Sequence, residues 1–597
     1  MREVTVPPTV QVRDDAGLAD VVWDTAAAAP DRVQFAGPGV PAGQEVTRSR
    51  FRDEVTALAG GFITAGVRPG DRVALMSRTR YEWTLTDYAV LACGAVTVPI
   101  YPTASAEQVA WTLADCGAVG CVVETGPQAA LAAAGFARAG RQAPVWQINR
   151  GGLGHLAARS AGPEAVAERR RAVSADDVAT IVYTSGTTGP PKGCALTHRN
   201  LLSETGNAIA HLPQLFQPED SCTVLFLPLA HAFARLVQFG CLAAGARLAY
   251  ALDPASDLAA ALSAARPTFL LGVPRVFEKL RQRAREEAGE GPRGAVFRAA
   301  EATAVAYSRA LDSPTGPGVA LRLRRRLADR LVYRRLRARL GGRCRHAVSG
   351  GAKLDPQLAH FFRGAGVTIY EGYGLTETSP AVTANTEGAI RIGTVGRPLP
   401  GVGIRIADDG EILVRGEVVF QGYWRDPEAT AAVRDPDGWL HTGDLGELDG
   451  DGFLTLTGRI KEVLVTSTGE TVAPQPLEER LRAHPLVSHS VVVGDDRPYV
   501  AALVTLDAAR LAEWLAARGR PPASPAEVRH DPELLRELDL ARAHANQIAS
   551  HTGSVRRVRI LPRDFSEARG ELTPTMKVRR NVVAREYADE IDAIYRR

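Results

Sequence analysis

The chain has 597 residues, of which 45% are hydrophobic and 23% charged, and its formal net charge is +4. This is the composition of an ordinary globular protein, and the length predicts several domains of about 100–200 residues each. So small a net charge argues against a nucleic-acid-binding chain, and we expect neither a secretory leader nor a membrane-spanning helix, because no suitable apolar run is present.

Seven cysteines are scattered along the chain and form no CxxC pair. Cys116 and Cys121 are the closest two, and neither a second pair nor a nearby histidine completes a metal site. We therefore expect buried free thiols in a reducing compartment, and a cytoplasmic location with optional peripheral attachment to a membrane.

The first part of the chain alternates short β-branched runs with alanine-rich amphipathic segments. Strand, helix and strand at this spacing predict βαβ units, and hence a parallel sheet with helices on its faces. The order is strand RVALMS (72–77), a helix containing Tyr81, Trp83 and Leu85, strand AVTVPIY (95–101), helix SAEQVAWTLADCG (105–117) and strand AVGCVVE (118–124).

The pattern changes twice towards the C-terminus. Residues 391–458 are rich in Gly, Asp and Val, which predicts short antiparallel strands in a small distorted barrel. After Arg459, the runs SHSVVVG, YVAALVTL and RVRILP lie between helical segments. We therefore predict an α/β fold in which residues 1–459 form a large domain and residues 460–597 a small α+β domain.

Residues 319–345 are dense in arginine. One interpretation is a helix that packs Leu327, Leu331 and Leu340, with Val332, Tyr333 and Leu336, inward and leaves its arginines in water. The other interpretation is attraction to anionic lipid headgroups or to the phosphates of coenzyme A (CoA).

The run YTSGTTGPPKG (183–193) follows a β-branched strand and combines hydroxyls, glycines and one lysine. Such a loop can point several backbone N–H groups at one anion, and glycines allow close approach. It is not a Walker A loop, because Pro191 replaces the second glycine and Gly193 stands where a magnesium-binding hydroxyl is required. The alternative is an ordinary polar surface loop.

Three further motifs follow in order: EGYGLTETSP (371–380), DGWLHTGDLGELDGDGFLTLTGRIKE (437–462) and ELTPTMKVRR (571–580). Together with the first loop they resemble the core motifs of the AMP-forming acyl-CoA synthetases. LPLAHAFAR (227–235), GVPRVFEKL (272–280) and VSGGAKLD (348–355) resemble the long-chain fatty acid branch.

The resemblance implies a reaction in two steps. A fatty acid attacks the α-phosphorus of Mg·ATP to give acyl-AMP and pyrophosphate, and CoA then displaces AMP. It implies two α/β subdomains and a β-barrel-like part, followed by a small mobile domain, with fatty acid, ATP, CoA and Mg²⁺ as the molecules bound.

The resemblance also assigns nucleotide contacts. Tyr373 and Gly374 match the adenine-binding segment, Thr376 the α-phosphate contact and Glu377 the metal ligand, in keeping with the preference of Mg²⁺ for few carboxylates. Asp444 matches the carboxylate that binds the ribose diol, and Arg459 a second nucleotide contact. The expected β,γ-phosphate contacts are Thr184, Ser185, Gly186, Thr187, Thr188 and Lys192.

In the C-terminal part, Lys577 matches the catalytic lysine that bridges the carboxylate and the phosphate in the first step. Lys461 matches the hinge of the small domain. Gly469 matches the glycine beside the pantetheine channel, although Thr468 replaces a glycine common in relatives.

Two assignments stay open. His231 matches a residue near the acyl and CoA channels, and it is as readily explained as a packing histidine. Gly351 and Ala352, with Gly350, resemble a turn that lines the adenine and acyl pockets, and a plain tight turn has the same sequence.

Other functions are compatible with part of this pattern. A fatty acyl-AMP ligase or a peptide-synthetase adenylation domain uses the same first step, although no carrier domain is expected in the twenty residues after Lys577. A degenerate nucleotide-binding regulator is disfavoured, because Thr188, Lys192, Glu377, Asp444, Arg459 and Lys577 are all present.

Overall fold

A computed structural model describes residues 2–40, 45–184, 191–217, 219–253, 256–289, 291–467, 470–550, 553–573 and 576–596. The β-strands are β1 Glu3–Thr5, β2 Val33–Phe35, β3 Val46–Thr47, β4 Arg72–Met76, β5 Val96–Ile100, β6 Gly120–Val123, β7 Val145–Gln147, β8 Val178–Thr184, β9 Lys192–Thr197, β10 Cys222–Leu225, β11 Arg247–Tyr250, β12 Phe269–Gly272, β13 His346–Ser349, β14 Thr368–Tyr373, β15 Thr383–Ala384, β16 Arg397–Pro398, β17 Val402–Ile406, β18 Glu411–Gly416, β19 Gly422–Tyr423, β20 Leu440–Leu448, β21 Leu454–Arg459, β22 Leu464–Val465, β23 Thr471–Val472, β24 Val487–Val493, β25 Val500–Leu506 and β26 Val555–Ile560.

The α-helices are α1 Asp20–Ala28, α2 Arg48–Thr64, α3 Tyr81–Ala92, α4 Ala106–Asp115, α5 Gly126–Arg138, α6 Gly152–Ala157, α7 Pro163–Arg171, α8 His198–His211, α9 Pro213–Phe216, α10 Ala232–Ala244, α11 Leu258–Ala265, α12 Pro274–Ala288, α13 Pro292–Leu311, α14 Val319–Ala328, α15 Arg334–Arg339, α16 Pro356–Gly364, α17 Pro427–Ala431, α18 Pro474–Arg482, α19 Ala508–Ala516, α20 Pro525–Val528, α21 Pro532–Ala545, α22 Arg580–Glu586 and α23 Ala588–Tyr595.

The first α/β subdomain is a seven-stranded sheet in the order β19-β9-β8-β5-β4-β6-β7. Strands β8, β5, β4, β6 and β7 run parallel, while β9 and β19 join antiparallel at one edge. The predicted βαβ units are confirmed, because the segment from RVALMS to AVGCVVE forms β4, α3, β5, α4 and β6. Every residue of helix α3 except Glu82 is buried, since the helix packs between the sheet and neighbouring helices.

The second α/β subdomain contains two sheets, in the orders β10-β11-β2-β3 and β12-β13-β14-β15-β16. Strands β12, β13 and β14 are parallel, and β15 and β16 continue the sheet antiparallel. Parallel strands end at one edge, so the segments after β13 and β14 meet there. These segments are VSGGAKLD and EGYGLTETSP.

The barrel-like part is an open five-stranded antiparallel sheet, in the order β1-β17-β18-β20-β21. The prediction for residues 391–458 was incomplete in two respects. Strand β1 comes from the N-terminus and pairs Glu3 with Arg405, while β16 and β19 belong to the α/β sheets. Long-range pairing of this kind leaves no signal in a local window of sequence.

The C-terminal domain has a three-stranded sheet, β24-β25-β26, with the hairpin β22-β23 beside it. The three strands predicted from SHSVVVG, YVAALVTL and RVRILP are confirmed. Helices α18 and α21 pack on one face through Leu477, Leu481 and Ala541, which makes the domain α+β as predicted. The division at residues 459 and 460 stays a prediction.

In the arginine-dense segment, the predicted burial of the leucines is only partly correct. Tyr333, Leu336 and Leu340 are buried as predicted, but Leu327 and Leu331 are exposed. A π-helical turn at Asp329–Tyr333 separates α14 from α15. Because a π-helical turn is wider than an α-helical one, it shifts the helical register. The buried face of α15 is therefore not in line with the exposed Leu327 of α14.

Two further observations concern the cysteines and the helices. All seven cysteines are buried and free, as predicted. Among the helices of the described ranges, none combines the length and the apolar character needed to cross a bilayer.

Candidate active site

A continuous cavity of about 2600 Å³ lies between the α/β subdomains, the open β-sheet and the C-terminal domain. Its wall has three chemically distinct regions. The polar region contains Tyr373, Thr376, Glu377, Asp444, Arg459 and Lys577. The apolar region contains Leu212, Leu215, Phe216, Val237, Phe269 and Leu271. The basic region contains Arg275, Lys279, Arg281, Arg285, Arg480 and Arg510.

Tyr373, Asp444 and Arg459 form one hydrogen-bonded cluster in the polar region. Asp444 and Arg459 are cross-strand neighbours on β20 and β21. The Asp444 carboxylate accepts from the Tyr373 hydroxyl at 2.7 Å and pairs with Nε of Arg459 at 2.6 Å. Burial and the Asp444 charge raise the pKa of Tyr373 well above its ordinary value, so Tyr373 remains a donor. The register of β20 and β21, together with the hydrogen bond from Tyr373 on β14, therefore brings together three of the predicted nucleotide contacts.

Glu377 lies in a short helical turn directly after β14. Its Oε1 accepts a hydrogen bond from the Tyr423 hydroxyl at 2.9 Å, and Tyr423 belongs to edge strand β19. Lys192 lies beside the same ring, with Nζ 5.1 Å from the centroid. Since β19 pairs with β9, the first sheet places the end of the phosphate-loop hairpin next to Glu377.

The hairpin of β8 and β9 carries the predicted phosphate loop. Thr184 and Lys192 are paired in its register, so the loop leaves and re-enters the sheet at one point of the cavity wall. Ser185, Gly186, Thr187 and Thr188 lie outside the described residues, and so do Thr468 and Gly469.

The small residues predicted beside the adenine and acyl pockets also reach the cavity. Gly351 and Ala352 follow β13 and line the wall, and Gly351 has a φ of +81°. A Cβ at Gly374 would lie 1.8 Å from the carbonyl oxygen of Pro380. Only glycine fits at residue 374, which fixes the path of the chain between Tyr373 and Thr376.

His231 precedes α10 and caps it, because Nδ1 accepts from the backbone N–H of Phe233 at 3.2 Å. Burial, with a smaller contribution from the cation of Lys577, lowers the pKa of His231 to about 4. The imidazole is therefore neutral near pH 7. Both earlier interpretations have support, since His231 is a helix cap and also lines the cavity.

Lys577 enters the cavity from the C-terminal domain. Its loop is held by two bonds to Thr573: the N–H of Thr573 donates to the Lys577 carbonyl at 2.8 Å, and the N–H of Lys577 donates to Thr573 Oγ1 at 3.0 Å. Surrounding protein lowers the pKa of the amine, although the side chain keeps contact with the solvent of the cavity. Arg459 lowers this pKa further and Asp444 opposes it, so the amine lies within electrostatic reach of the polar cluster.

Lys461 lies in a short turn at Ile460–Glu462, between β21 and the C-terminal hairpin. Lys461 is exposed, whereas its neighbour Glu462 pairs with Nε of Arg580 at 3.5 Å. Arg580 begins α22, three residues after Lys577. The predicted hinge and the lysine loop are thus joined by one ion pair.

Two residues that shape the site were not predicted from the sequence. Tyr423 gave no motif signal, because its role depends on a contact with Glu377 across separate sheets. Arg235 ends the LPLAHAFAR run, and its buried guanidinium pairs with Oδ1 of Asp87 on α3 at 2.7 Å. That pair fastens α10, and with it His231, to the first subdomain. In the sequence, the signal for this role was an arginine within a largely apolar helical run.

Similarity to known protein families was found over most of the chain. Residues 22–424 match the family model described as AMP-binding enzyme, and residues 461–597 match the AMP-binding enzyme C-terminal domain. A protein of Mycobacterium bovis named long-chain-fatty-acid–CoA ligase FadD15 is 47% identical over 603 aligned residues and is covered completely, as is this chain. The long-chain-fatty-acid–CoA ligase heimdall of Drosophila melanogaster is 31% identical, with 97% of this chain and 92% of the relative covered.

Solved structures show the same fold. An ATP-bound RpMatB-BxBclM chimera has a TM-score of 0.71 and 25% identity, with 98% of this chain and 100% of that chain covered. O-succinylbenzoate coenzyme A synthetase from Bacillus subtilis, in complex with ATP and magnesium ion, has a TM-score of 0.68 and 20% identity, with 94% and 98% covered.

Proposed function

Because the chain belongs to the AMP-binding enzyme family, we propose that it is a long-chain fatty acid–CoA ligase. The observation that carries this proposal is the cavity itself, whose apolar region shares one continuous space with Lys577 and with the polar cluster of Tyr373, Asp444 and Arg459. A hydrophobic tail and a nucleotide can then be bound so that the carboxylate meets the α-phosphate. The near full-length similarity to named long-chain ligases agrees with this substrate class.

In the first step, an oxygen of the fatty acid carboxylate attacks the α-phosphorus and the bond to pyrophosphate breaks. Tyr373 binds the adenine face, Asp444 accepts from the ribose hydroxyls and Arg459 orients Asp444. Lys577 lies between the two anions and reduces their repulsion, because a preorganised cation costs little reorganisation when the reaction occurs. Thr184 and Lys192 hold the departing pyrophosphate, together with the loop between them.

The residues present fit a magnesium ion. Mg²⁺ takes oxygen ligands and usually one or two protein carboxylates with substrate phosphates, and Glu377 supplies one carboxylate beside the phosphate-loop hairpin. Bound there, the ion would neutralise charge on the phosphates. Tyr423 orients the Glu377 carboxylate by donating to Oε1.

In the second step, the CoA thiol attacks the acyl carbonyl and AMP leaves. The basic region suits the phosphates of CoA, because α12 presents Arg275, Lys279 and Arg281 to the cavity. Neutral His231 lies at the cavity wall and adds no positive charge beside Lys577. For access by the thiol, the small domain turns about Lys461 and withdraws Lys577.

The substrate class is tested with straight-chain acids from butanoate to eicosanoate, ATP and CoA, with acyl-CoA measured by mass spectrometry. Each added CH₂ contributes about 0.8 kcal/mol when buried, so kcat/KM should rise about fourfold per CH₂ until the apolar region is filled. A preference for acetate or benzoate would contradict the proposal. Accumulation of acyl-AMP without acyl-CoA would indicate a fatty acyl-AMP ligase instead.

A variant in the apolar region sharpens this test. Gly240 lines the cavity on α10, and a Cβ there would lie 3.0 Å from the Phe216 ring. Gly240→Val should therefore lower kcat/KM for the longest acids and leave the shortest ones unchanged. Ala243→Val, on the exposed side of the same helix, is the matched control. Equal loss for every chain length would show that Gly240 does not limit the acyl site.

A further inference from the structure

Helix α14 and the π-helical turn that follows it expose an apolar stripe. Val319, Leu323, Leu327 and Leu331 repeat every fourth residue and are 72%, 57%, 61% and 46% exposed. Residues four apart lie on one face of a helix, so these side chains form a continuous row in water. An apolar row of this length on a solvent-exposed surface indicates an interaction site.

The opposite side of the segment is firmly attached, so the row cannot turn inward. Arg325 donates from Nε to the carbonyl oxygen of Gly364 at 2.9 Å, and Ala328 is buried. At the end of the π-helical turn, the Tyr333 hydroxyl donates to the carbonyl oxygen of Ala300 on α13 at 2.6 Å. The outward direction of the leucines is therefore a property of the folded state.

Arginines flank the apolar row. The segment 319–345 has eleven arginines and a single acidic residue, Asp329, which pairs with Arg334 and Arg337. Several exposed arginines of the segment have no ion pair with any side chain of the described residues, among them Arg324, Arg326, Arg330 and Arg335. We name these four, with Val319, Leu323, Leu327 and Leu331, the basic–leucine face.

We propose that the basic–leucine face docks on the surface of an anionic lipid bilayer. Leucines inserted at the headgroup boundary leave water, and arginines on either side contact lipid phosphates, which is the pattern of a helix lying in the membrane interface. A nucleic acid would neutralise the arginines but would leave the leucines in water. Charge complementarity and the apolar row together therefore favour the bilayer. This inference does not depend on the proposed ligase activity.

Vesicle flotation of the full chain, without ATP or acid, tests the proposal. Phosphatidylcholine vesicles are compared with and without phosphatidylglycerol, at low and at high salt. The protein should float with the anionic vesicles, and high salt should weaken binding because it screens the arginines. Arg326→Gln with Arg330→Gln should weaken binding about thirtyfold. Leu323→Ser with Leu327→Ser should weaken it at least about tenfold.

Matched controls separate the basic–leucine face from general surface properties. Arg68→Gln with Arg171→Gln removes the same charge from exposed sites elsewhere, and Leu535→Ser with Leu540→Ser removes exposed leucines from α21. Both controls should bind as the unsubstituted protein does. The substituted side chains are exposed, so thermal unfolding should be unchanged in every variant.

Three results would overturn the proposal. The first is absence of flotation with anionic vesicles, and the second is equal binding by the unsubstituted protein and the leucine variant. The third is a loss of vesicle binding in the control pairs as large as the loss in the variants of the basic–leucine face. Binding that needs the arginines but not the leucines would show a purely electrostatic surface, and would also refute docking in the bilayer interface.

Discussion

The hydrogen bond from Tyr423 to Glu377 allows a sharp test of the proposed magnesium site. Tyr423→Phe removes the hydroxyl that donates to Oε1 of Glu377 at 2.9 Å. The ring remains, including its contact with Phe420 at 5.0 Å between centroids and its position beside Lys192. The substitution therefore changes the orientation of one carboxylate and little else.

The expected magnitude follows from the contact that is lost. A hydrogen bond to a charged group contributes about 1.5–3 kcal/mol, and loss of a residue that orients a metal ligand usually lowers metal affinity about 10–100-fold. The Mg²⁺ concentration for half-maximal pyrophosphate release should rise by about this factor. The maximal rate should recover at high Mg²⁺, because Glu377 is still present.

Pyrophosphate release is measured with a long-chain acid and ATP over a range of Mg²⁺ concentrations. Conversion of supplied acyl-AMP to acyl-CoA is measured separately and should not change, since the metal acts on the phosphates of ATP. Tyr307→Phe on α13 is the control. A lower maximal rate with no change in Mg²⁺ dependence, or equal loss in both half-reactions, would refute the role of Tyr423.

Three more predictions concern other parts of the chain. Lys577→Ala should slow pyrophosphate release about 10²–10³-fold while supplied acyl-AMP still reacts with CoA, and equal loss of both half-reactions would remove its assigned role. Lys461→Pro, in the turn Ile460–Glu462, should slow thioester formation more than adenylation because proline fixes φ, whereas Lys461→Ala should be harmless; rapid-quench kinetics separates the two steps. Burial lowers the pKa of His198 in the folded state from 6.5 to about 4. As the pH drops from 6.5 towards 4, the unfolded chain therefore binds a proton that the folded chain does not, and the free energy of unfolding falls by roughly 3 kcal/mol at most. His198→Gln should reduce this loss in urea unfolding, and an unchanged pH dependence would contradict it.

Much of the candidate site could be predicted because its parts are short continuous motifs. EGYGLTETSP places Tyr373 and Glu377 within five residues, and the paired strands that carry Asp444 and Arg459 are joined by a short turn. The βαβ segments were equally readable, since β-branched runs and helical periodicity are local properties. The order of the motifs then identified the family without any spatial information.

Tertiary structure alone decided how these local pieces meet. Tyr423 reaches Glu377 because β19 is added to the edge of a sheet formed far earlier in the chain. Leu327 is exposed because a π-helical turn separates the register of α14 from that of α15, although helical spacing alone predicted burial. Lys577 reaches the cavity that holds the polar cluster only through the docking of the C-terminal domain. Periodicity reports which neighbours along the chain share a face, whereas packing determines what that face contacts.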